Sequence, residues 1–345
     1  MGKLRVGVIG VGGIATSAHI PGYKRLGGEV ELAAVADVNL ERARQVAAEH
    51  GISGVYHDYR AMLAAERLDA VSVCTPNALH APASLAALEA GCHVLCEKPP
   101  AMSPEEVSAV AETARRTGRI YTVALNFRFD PEVVLAKRFI DGGGLGEIYA
   151  ARVRVRRRRG VPSWGGFTNK RLQGGGPMID MGVHFLDVAL YLMGYAAPRQ
   201  ILGTTYTKVA NRTEVMAWGA YDRDGYEVED LAFGMITLDS GATVLIEASF
   251  ADNCPKEENY VLLSGTKAGL ELPPLRIFRE ECGALTDTTI HWLPRQDMYA
   301  EEVRHFVACC RGDERPVVTP DQAVILQQMV SGIYQSAAAG KAISL

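Results

Sequence analysis

The chain has 345 residues, about twice the usual domain size, so two domains with separate cores are expected. Its 48% hydrophobic and 22% charged residues, with a formal net charge of -4, exclude a disordered chain and argue against attraction to nucleic acid. No apolar run approaches the roughly 20 residues of a membrane helix, and Met1 to Ala15 reads as strand and turn rather than a leader, which predicts a cytoplasmic protein without membrane contact.

From Lys3 to about Ala124, short Val/Ile/Ala runs alternate with helix-length segments, the pattern of repeated βαβ units around a parallel sheet. Strands are predicted at Leu4 to Ile9, Val30 to Ala36, Ala70 to Cys74, His93 to Cys96 and Ile120 to Ala124. Helices are predicted at Leu40 to His50, Ala78 to Ala90 and Pro104 to Thr117, the last with Ser103 as N-cap and Glu106 at the capping-box position. The expectation is a doubly wound Rossmann domain over residues 1–125, with its ligand site at the carboxyl ends of the strands.

After Asp130 the rhythm changes. A helix from Pro131 to Ile140 and a Gly142 to Gly144 turn lead into an alternating strand from Ile148 to about Arg159, followed by strand-like runs at Ile201 to Val209, Glu229 to Leu238, Thr243 to Phe250 and Tyr260 to Ser264. Connections are mostly short, so residues 126–345 are expected to form an α+β domain with a large, mostly antiparallel open sheet, covered by helices at Met178 to Met193, Met298 to Arg311 and Ala323 to Ala338. Arg152 to Arg159 holds six arginines in eight residues, but they alternate with Val153 and Val155, which predicts one apolar strand face and one arginine face paired to acids across the sheet or a subunit interface. The seven cysteines include no C-x-x-C pair, so they are expected reduced and no metal site is expected; Cys96 stands out because it ends a strand beside a polar motif.

Gly10-Val-Gly12-Gly13-Ile14-Ala15 follows the first strand and opens a helix. Gly10 permits the tight turn, Gly12 lets the backbone approach a pyrophosphate, and Ala15 lets helix and strand pack closely. The diphosphate is expected on the helix amino terminus, where free N–H groups and the dipole favour anions. Asp37 closes the second strand 22 residues beyond Ala15, placed to accept hydrogen bonds from the adenosine ribose. A carboxylate there repels a 2′-phosphate, and Val38 and Asn39 supply no guanidinium, so NAD is favoured over NADP.

Other strand ends carry polar residues: Thr75-Pro76-Asn77-x-x-His80 after the fourth strand, Glu97-Lys98-Pro99 after the fifth, and Asn126-x-Arg128-Phe129 at the end of the sheet. In the second half Gly174-Gly175-Gly176 precedes Asp180-x-Gly182-x-His184, and the two titratable residues lie four apart on one helix face. This ordered set resembles the glucose-fructose oxidoreductase and inositol dehydrogenase family (Gfo/Idh/MocA), over essentially the whole chain. The resemblance implies a homo-oligomeric NAD(P)-dependent dehydrogenase, dimeric or tetrameric, acting on CH–OH groups of a sugar, inositol or related polyol or glycoside, with its second domain binding substrate and mediating oligomerisation. Lys98 matches the family's active-site lysine, Asp180 its substrate-binding aspartate and His184 its acid/base histidine.

The chemistry is consistent with those matches. A hydroxyl that releases a hydride must lose a proton to a group with a pKa near neutrality, which His184 supplies with least tuning; Lys98 would stabilise the developing alkoxide, and Asp180 would hold the imidazole or a neighbouring hydroxyl. Pro76 and Asn77 are expected to line the nicotinamide, Thr75, Glu97 and Lys98 to be among the cofactor-binding residues, and His80 to be either one of them or purely structural. Arg128, Trp164, Lys170 and Tyr299 are weaker candidates for the sugar pocket, Trp164 offering a face for ring stacking. Two other functions stay open: an idle NAD-binding regulator of this fold, and a glycoside-processing enzyme that oxidises its sugar transiently.

Overall fold

The computed structural model describes residues Gly2–Leu345 and divides into two compact units. The first gathers the chain up to Phe129 together with Gln296–Val324, and the second holds Asp130–Arg295 and Ile325–Leu345. A single cut at 125/126 misses this return of the chain. Its cause is apolar: Val303, Phe306 and Val307 share one buried cluster with Val6, Tyr23, Val30, Ala70, Leu95 and Ala124.

In the first unit, β1 (Leu4–Ile9), β2 (Val30–Ala36), β3 (Gly54–Tyr56), β4 (Ala70–Val73), β5 (His93–Cys96) and β6 (Tyr121–Val123) form a parallel sheet in the order β3-β2-β1-β4-β5-β6. The connections carry α1 (Ile20–Arg25), α2 (Leu40–His50), α3 (Tyr59–Ala65), α4 (His80–Glu89) and α5 (Pro104–Thr117). Local chemistry sets the helix ends: Asn39, Asp58 and Ser103 accept hydrogen bonds from the Arg42, Arg60 and Glu106 amides, and Gly51 and Gly118 end α2 and α5 in the left-handed conformation. Strand order reverses between β1 and β4, so the ligand crevice of this topology lies beyond the carboxyl ends of those two strands.

The second unit begins with α6 (Pro131–Asp141), β7 (Ile148–Arg156), α7 (Lys170–Gln173) and α8 (Val183–Leu192). It continues with β8 (Pro198–Tyr206), β9 (Leu231–Leu238), β10 (Thr243–Ser249), β11 (Glu258–Gly265), β12 (Ala268–Leu272), β13 (Arg276–Glu281) and β14 (Ala284–Thr289). The chain then runs through α9 (Met298–Arg311) and α10 (Pro320–Ala339), within which the division between the units falls, and ends at β15 (Ile343–Ser344). The nine-stranded sheet has the order β14-β13-β12-β11-β7-β10-β9-β8-β15 and is antiparallel except where β7 and β10 run parallel. The arginine strand is β7. Ala151, Val153 and Val155 are buried on one face, while Arg154 donates to Glu247 at 2.8 Å and to Glu258 at 3.0 Å on the flanking strands, so its charges are matched across the sheet. No helix among the described residues is long and apolar enough to cross a membrane.

Candidate functional site

In the first unit the glycine loop sits where strand order reverses. Gly10 has φ +85°, and a Cβ there would lie 2.7 Å from the Cys74 carbonyl oxygen, so both the turn and the close approach to the loop after β4 require glycine. Gly12 and Gly13 differ: a Cβ on either would meet nothing within 4 Å, which leaves open space above the backbone. Beyond them the helix carrying Ile14 and Ala15 begins with a π turn at Ala15–His19 before α1. Asp37 closes the loop from the β2 side, its Oδ2 accepting the Val11 amide at 2.9 Å and its Oδ1 the Asn39 amide at 2.8 Å. Each carboxylate oxygen keeps further accepting capacity for a ribose hydroxyl.

Thr75 Oγ1 is a buried hydroxyl without a hydrogen-bond partner among the described residues, at the mouth of β4. Such an orphan calls for a missing partner. The open cradle over Gly12 and Gly13, the strand-end carboxylate of Asp37 and this hydroxyl together fit a dinucleotide. Asn77 is buried and Pro76 exposed on the same turn. His80 is fully buried, its Nδ1 2.7 Å from the Pro99 carbonyl and its Nε2 2.8 Å from that of Thr75. It ties the loop after β4 to the loop after β5, and burial pushes its pKa down even though both carbonyls favour the charged form. His80 therefore acts on the site through the two loops, having no free ring nitrogen to offer a ligand.

Lys98 is half-buried after β5, and the residue before it anchors a relay that the sequence did not reveal. Glu97 Oε2 accepts the Lys98 amide at 3.1 Å, while Oε1 lies 3.0 Å from Nε2 of buried His19. His19 Nδ1 is 3.0 Å from Ser72 Oγ, which is 2.9 Å from the Tyr23 hydroxyl. An ionised carboxylate can only accept, so His19 Nε2 donates to Glu97, while the direction of the bonds from His19 Nδ1 through Ser72 to Tyr23 follows the protonation of the imidazole. Burial raises the Glu97 pKa, but the hydrogen bond and charge of His19, with the charge of Lys98, outweigh it and hold the carboxyl below its usual range. Cys96 is buried, its Sγ donating to the Glu97 carbonyl at 3.3 Å, and burial pushes the thiol up to about 12, which makes it inert.

Arg128 does not fit the sugar pocket. It is 1% exposed, and its Nη1 donates at 2.7 Å both to the Val317 carbonyl and to Gln322 Oε1, so the guanidinium fastens the segment leading into α10. Tyr299, at the start of α9, is partly exposed; burial raises its pKa, and it hydrogen-bonds Asn126.

In the second unit Asp180 lies in a π turn at Met178–Gly182 that leads straight into α8, whose first turn carries the buried His184. π turns recur at functional sites because they re-aim side chains. The preceding glycines are dictated by packing. A Cβ on Gly175 would collide with the Tyr334 hydroxyl and one on Gly176 with the Glu229 backbone carbonyl, while Gly174 has φ +85°. The buried Glu229 carboxylate accepts the Gly176 amide at 2.8 Å, the Met178 amide at 3.3 Å and the Tyr334 hydroxyl at 2.8 Å, fixing the start of the turn that holds Asp180. Burial raises the Glu229 pKa against the pull of those hydrogen bonds. Glu229 and Tyr334 were invisible in the sequence. Lys170 begins α7, its amide donating to Glu227 Oε2 at 3.0 Å. Trp164 stacks on Trp218, ring centroids 6.1 Å apart and planes 9° from parallel, in a loop cluster where Asp180 exerts its charge on Arg157.

Comparison with known proteins gives the chemical context. A family model described as an oxidoreductase family with an NAD-binding Rossmann fold matches residues 4–125, and the GFO/IDH/MocA C-terminal domain matches residues 133–271. The chain is 38% identical to D-glucoside 3-dehydrogenase of Escherichia coli (strain K12), over 99% of this chain and 97% of that one. It is 30% identical to D-xylose 1-dehydrogenase (NADP(+)) 2 of Haloferax volcanii, over 98% and 99% of the two chains. Among solved structures, an NAD binding oxidoreductase from Klebsiella pneumoniae superposes with a TM-score of 0.85 at 26% identity, covering 99% of both chains.

Proposed function

The chain belongs to the Gfo/Idh/MocA oxidoreductase family, and from that premise we propose that it is an NAD-dependent dehydrogenase oxidising a ring hydroxyl of a sugar, with glycosides the favoured class. The observation that carries the redox reading is the Gly10 loop closed by Asp37, beside the open space over Gly12 and Gly13. The glycoside preference rests on the 38% identity to D-glucoside 3-dehydrogenase. Preference for NAD rests on Asp37, whose carboxylate would bind ribose hydroxyls and repel a 2′-phosphate. The D-xylose enzyme at 30% identity uses NADP, so this choice belongs to individual members.

Gly12, Gly13 and the helix start at Ile14 would hold the diphosphate, Asp37 the ribose, and Thr75, Pro76 and Asn77 the nicotinamide end. The nicotinamide supplies the hydride acceptor. His184 takes the proton of the reacting hydroxyl, Lys98 stabilises the alkoxide as it develops, and Asp180 orients a neighbouring hydroxyl or the imidazole. Glu97 and His19 are positioning residues, fixing the backbone that presents Lys98. A spectrophotometric screen for NADH release over glucosides, aldoses and inositols tests the reading. His184→Asn is expected to slow the best substrate by about 10²- to 10⁴-fold, abolish the near-neutral limb of the pH profile and leave NAD affinity unchanged. Retained turnover with an unaltered pH profile would remove His184 from the mechanism.

We also propose a homo-oligomer formed through the nine-stranded sheet. Leu202, Phe233, Met235 and Leu245 are exposed side by side around a hollow of about 460 Å³ on its open face, which carries none of the residues assigned to chemistry.

A further inference from the structure

Glu229 is a buried carboxylate just before β9 that takes no part in the chemistry assigned above. Its hydrogen bonds come from neutral donors: the Gly176 amide at 2.8 Å, the Met178 amide at 3.3 Å and the Tyr334 hydroxyl at 2.8 Å. Three donors call for the ionised form, because a protonated carboxyl gives up accepting capacity and brings a hydrogen that needs an acceptor of its own.

The carboxylate is held so that it cannot retreat from the turn it meets. Tyr226 donates to the Glu229 carbonyl at 3.0 Å, and Asp230, the next residue, accepts the amides of Lys208, Val209 and Ala210 at 2.8, 2.6 and 2.9 Å. On the other side Gly176 gives its amide to Glu229 and accepts the Asp180 amide on its carbonyl at 3.0 Å, so a single residue couples the buried carboxylate to the site aspartate. The π turn then runs without a break into the first turn of α8, where His184 lies. Its far end rests on β10, where a Cβ on Gly182 would stand 3.4 Å from that of Ala248. The glycine run acquires a purpose from this arrangement. Neither Gly175, beside the Tyr334 hydroxyl, nor Gly176, beside the Glu229 carbonyl, has room for a Cβ, so a side chain at either position would hold the turn away from its brace.

We propose that Glu229 is a positioning residue for the acid/base segment: the ionised carboxylate, together with Tyr334, fixes the backbone from Gly176 to Met178 and through it the placement of Asp180 and His184. The kinetic consequence rests on the dehydrogenase reading. Misplacing a catalytic group by about 1 Å costs on the order of 10²-fold in rate, so loss of the brace is felt at a distance. Burial holds the Glu229 carboxyl above its ordinary value, against the pull of its donors, so the brace is released by acid before an exposed glutamate would titrate. The groups facing it are Tyr334 from α10 and Tyr226 from the segment before β9, with Asp230 beside it in the chain. Burial raises both phenols, so neither changes charge where a carboxyl does.

The test uses the full chain with Glu229→Gln and Tyr334→Phe. Glutamine keeps the shape but turns one acceptor into a donor, and Glu229→Gln is expected to lower kcat about 10- to 100-fold while leaving the Kd for NAD unchanged. In the wild type, log kcat should fall with a slope steeper than one on the acid side of the His184 limb, where Glu229 protonates, and Glu229→Gln should keep a slope of one. Tyr334→Phe removes a donor that favours the ionised carboxyl, so the steep region should begin at higher pH; this variant carries the test should Glu229→Gln not fold. Histidine NMR is read in parallel, with the His184 resonance assigned by its loss in His184→Asn. A His184 resonance that moves in Glu229→Gln while the other histidines stay in place, with no NADH from any sugar, upholds the positioning role while the dehydrogenase reading fails. NADH release with kcat, acid slope and His184 resonance as in the wild type overturns the positioning role and leaves the dehydrogenase reading in place.

Discussion

His19 Nε2 and Glu97 Oε1 lie 3.0 Å apart, and the other oxygen of that carboxylate accepts the Lys98 amide, so a buried histidine from the helix after the nucleotide loop sets the backbone of the proposed active-site lysine. Because His19 and the charge of Lys98 hold the folded-state pKa of Glu97 below its ordinary value, the carboxylate adds stability that is fully present above the usual glutamate range. That stability is lost as pH falls through the depressed value. Glu97→Gln is expected to cost about 1.5–3 kcal/mol near neutrality, the range for a hydrogen bond to a charged group. The difference in Tm from wild type should shrink on acidification below the glutamate range. A difference that stays constant from neutral pH into that acid range would show that the charge of Glu97 does not stabilise the fold.

Two glycine substitutions should separate folding from binding. Gly12→Ala places its methyl in open space, so Tm is expected to stay within about 1 °C of wild type, since surface changes usually fall within roughly 0.5 kcal/mol, while NAD affinity drops at least tenfold. Gly176→Ala drives its methyl into the Glu229 carbonyl and is expected to cost about 1–3 kcal/mol with loss of activity. Calorimetry and NAD titration on both variants check the pair; equal loss of Tm would show that the Gly12 space is filled by protein.

Cofactor preference should move when Asp37→Ser is combined with Val38→Arg. Val38 is 78% exposed, so an arginine there meets no packing penalty, and it brings a cation to the position of a 2′-phosphate. NAD affinity is expected to fall about tenfold or more and NADP affinity to rise. Since Asp37 also accepts two backbone amides, Tm is measured alongside; dissociation constants that shift by one common factor would assign the effect to those lost hydrogen bonds.

Sedimentation should show an assembly larger than the monomer at micromolar concentration, and Met235→Glu with Leu245→Glu should dissociate it without lowering Tm. Both side chains are more than two-fifths exposed on the open sheet face, so the monomer itself does not need them. A wild-type chain that sediments as a monomer would remove the proposed interface.

The readable parts of the sequence were those where one residue's chemistry is local. The β1 and β2 runs, the Ser103 cap and the Gly10 turn were all legible, because period, cap and turn depend on near neighbours. β3, only three residues long, is too short to show alternation, and β13 with β14 forms a polar hairpin in which neither face is apolar enough to mark a strand. At the site, polar residues at strand ends stood out as a class, yet the class did not separate Arg128, buried against Val317 and Gln322, from residues able to face a ligand. His19, Ser72 and Tyr23 escaped notice because the relay joins two helical segments and a central strand; only the strand order puts them together, and Ser72 sits in an otherwise apolar run. Glu229 and Tyr334 support Asp180 from 49 and 154 residues away in sequence, a distance no local pattern spans.

The return of Gln296–Val324 to the first unit has a consequence for synthesis. A ribosome finishing Phe129 has produced the whole parallel sheet but not α9, so Tyr23, Leu95 and Ala124 wait without Val303, Phe306 and Val307 while more than half of the chain is still to be made. The nascent nucleotide-binding half is thus an incomplete foldon with sticky apolar surface, closed only by a contact of very long sequence separation. An isolated fragment ending at Phe129 would carry that same exposed surface permanently, making it a client for holdase chaperones rather than a free-standing nucleotide-binding module.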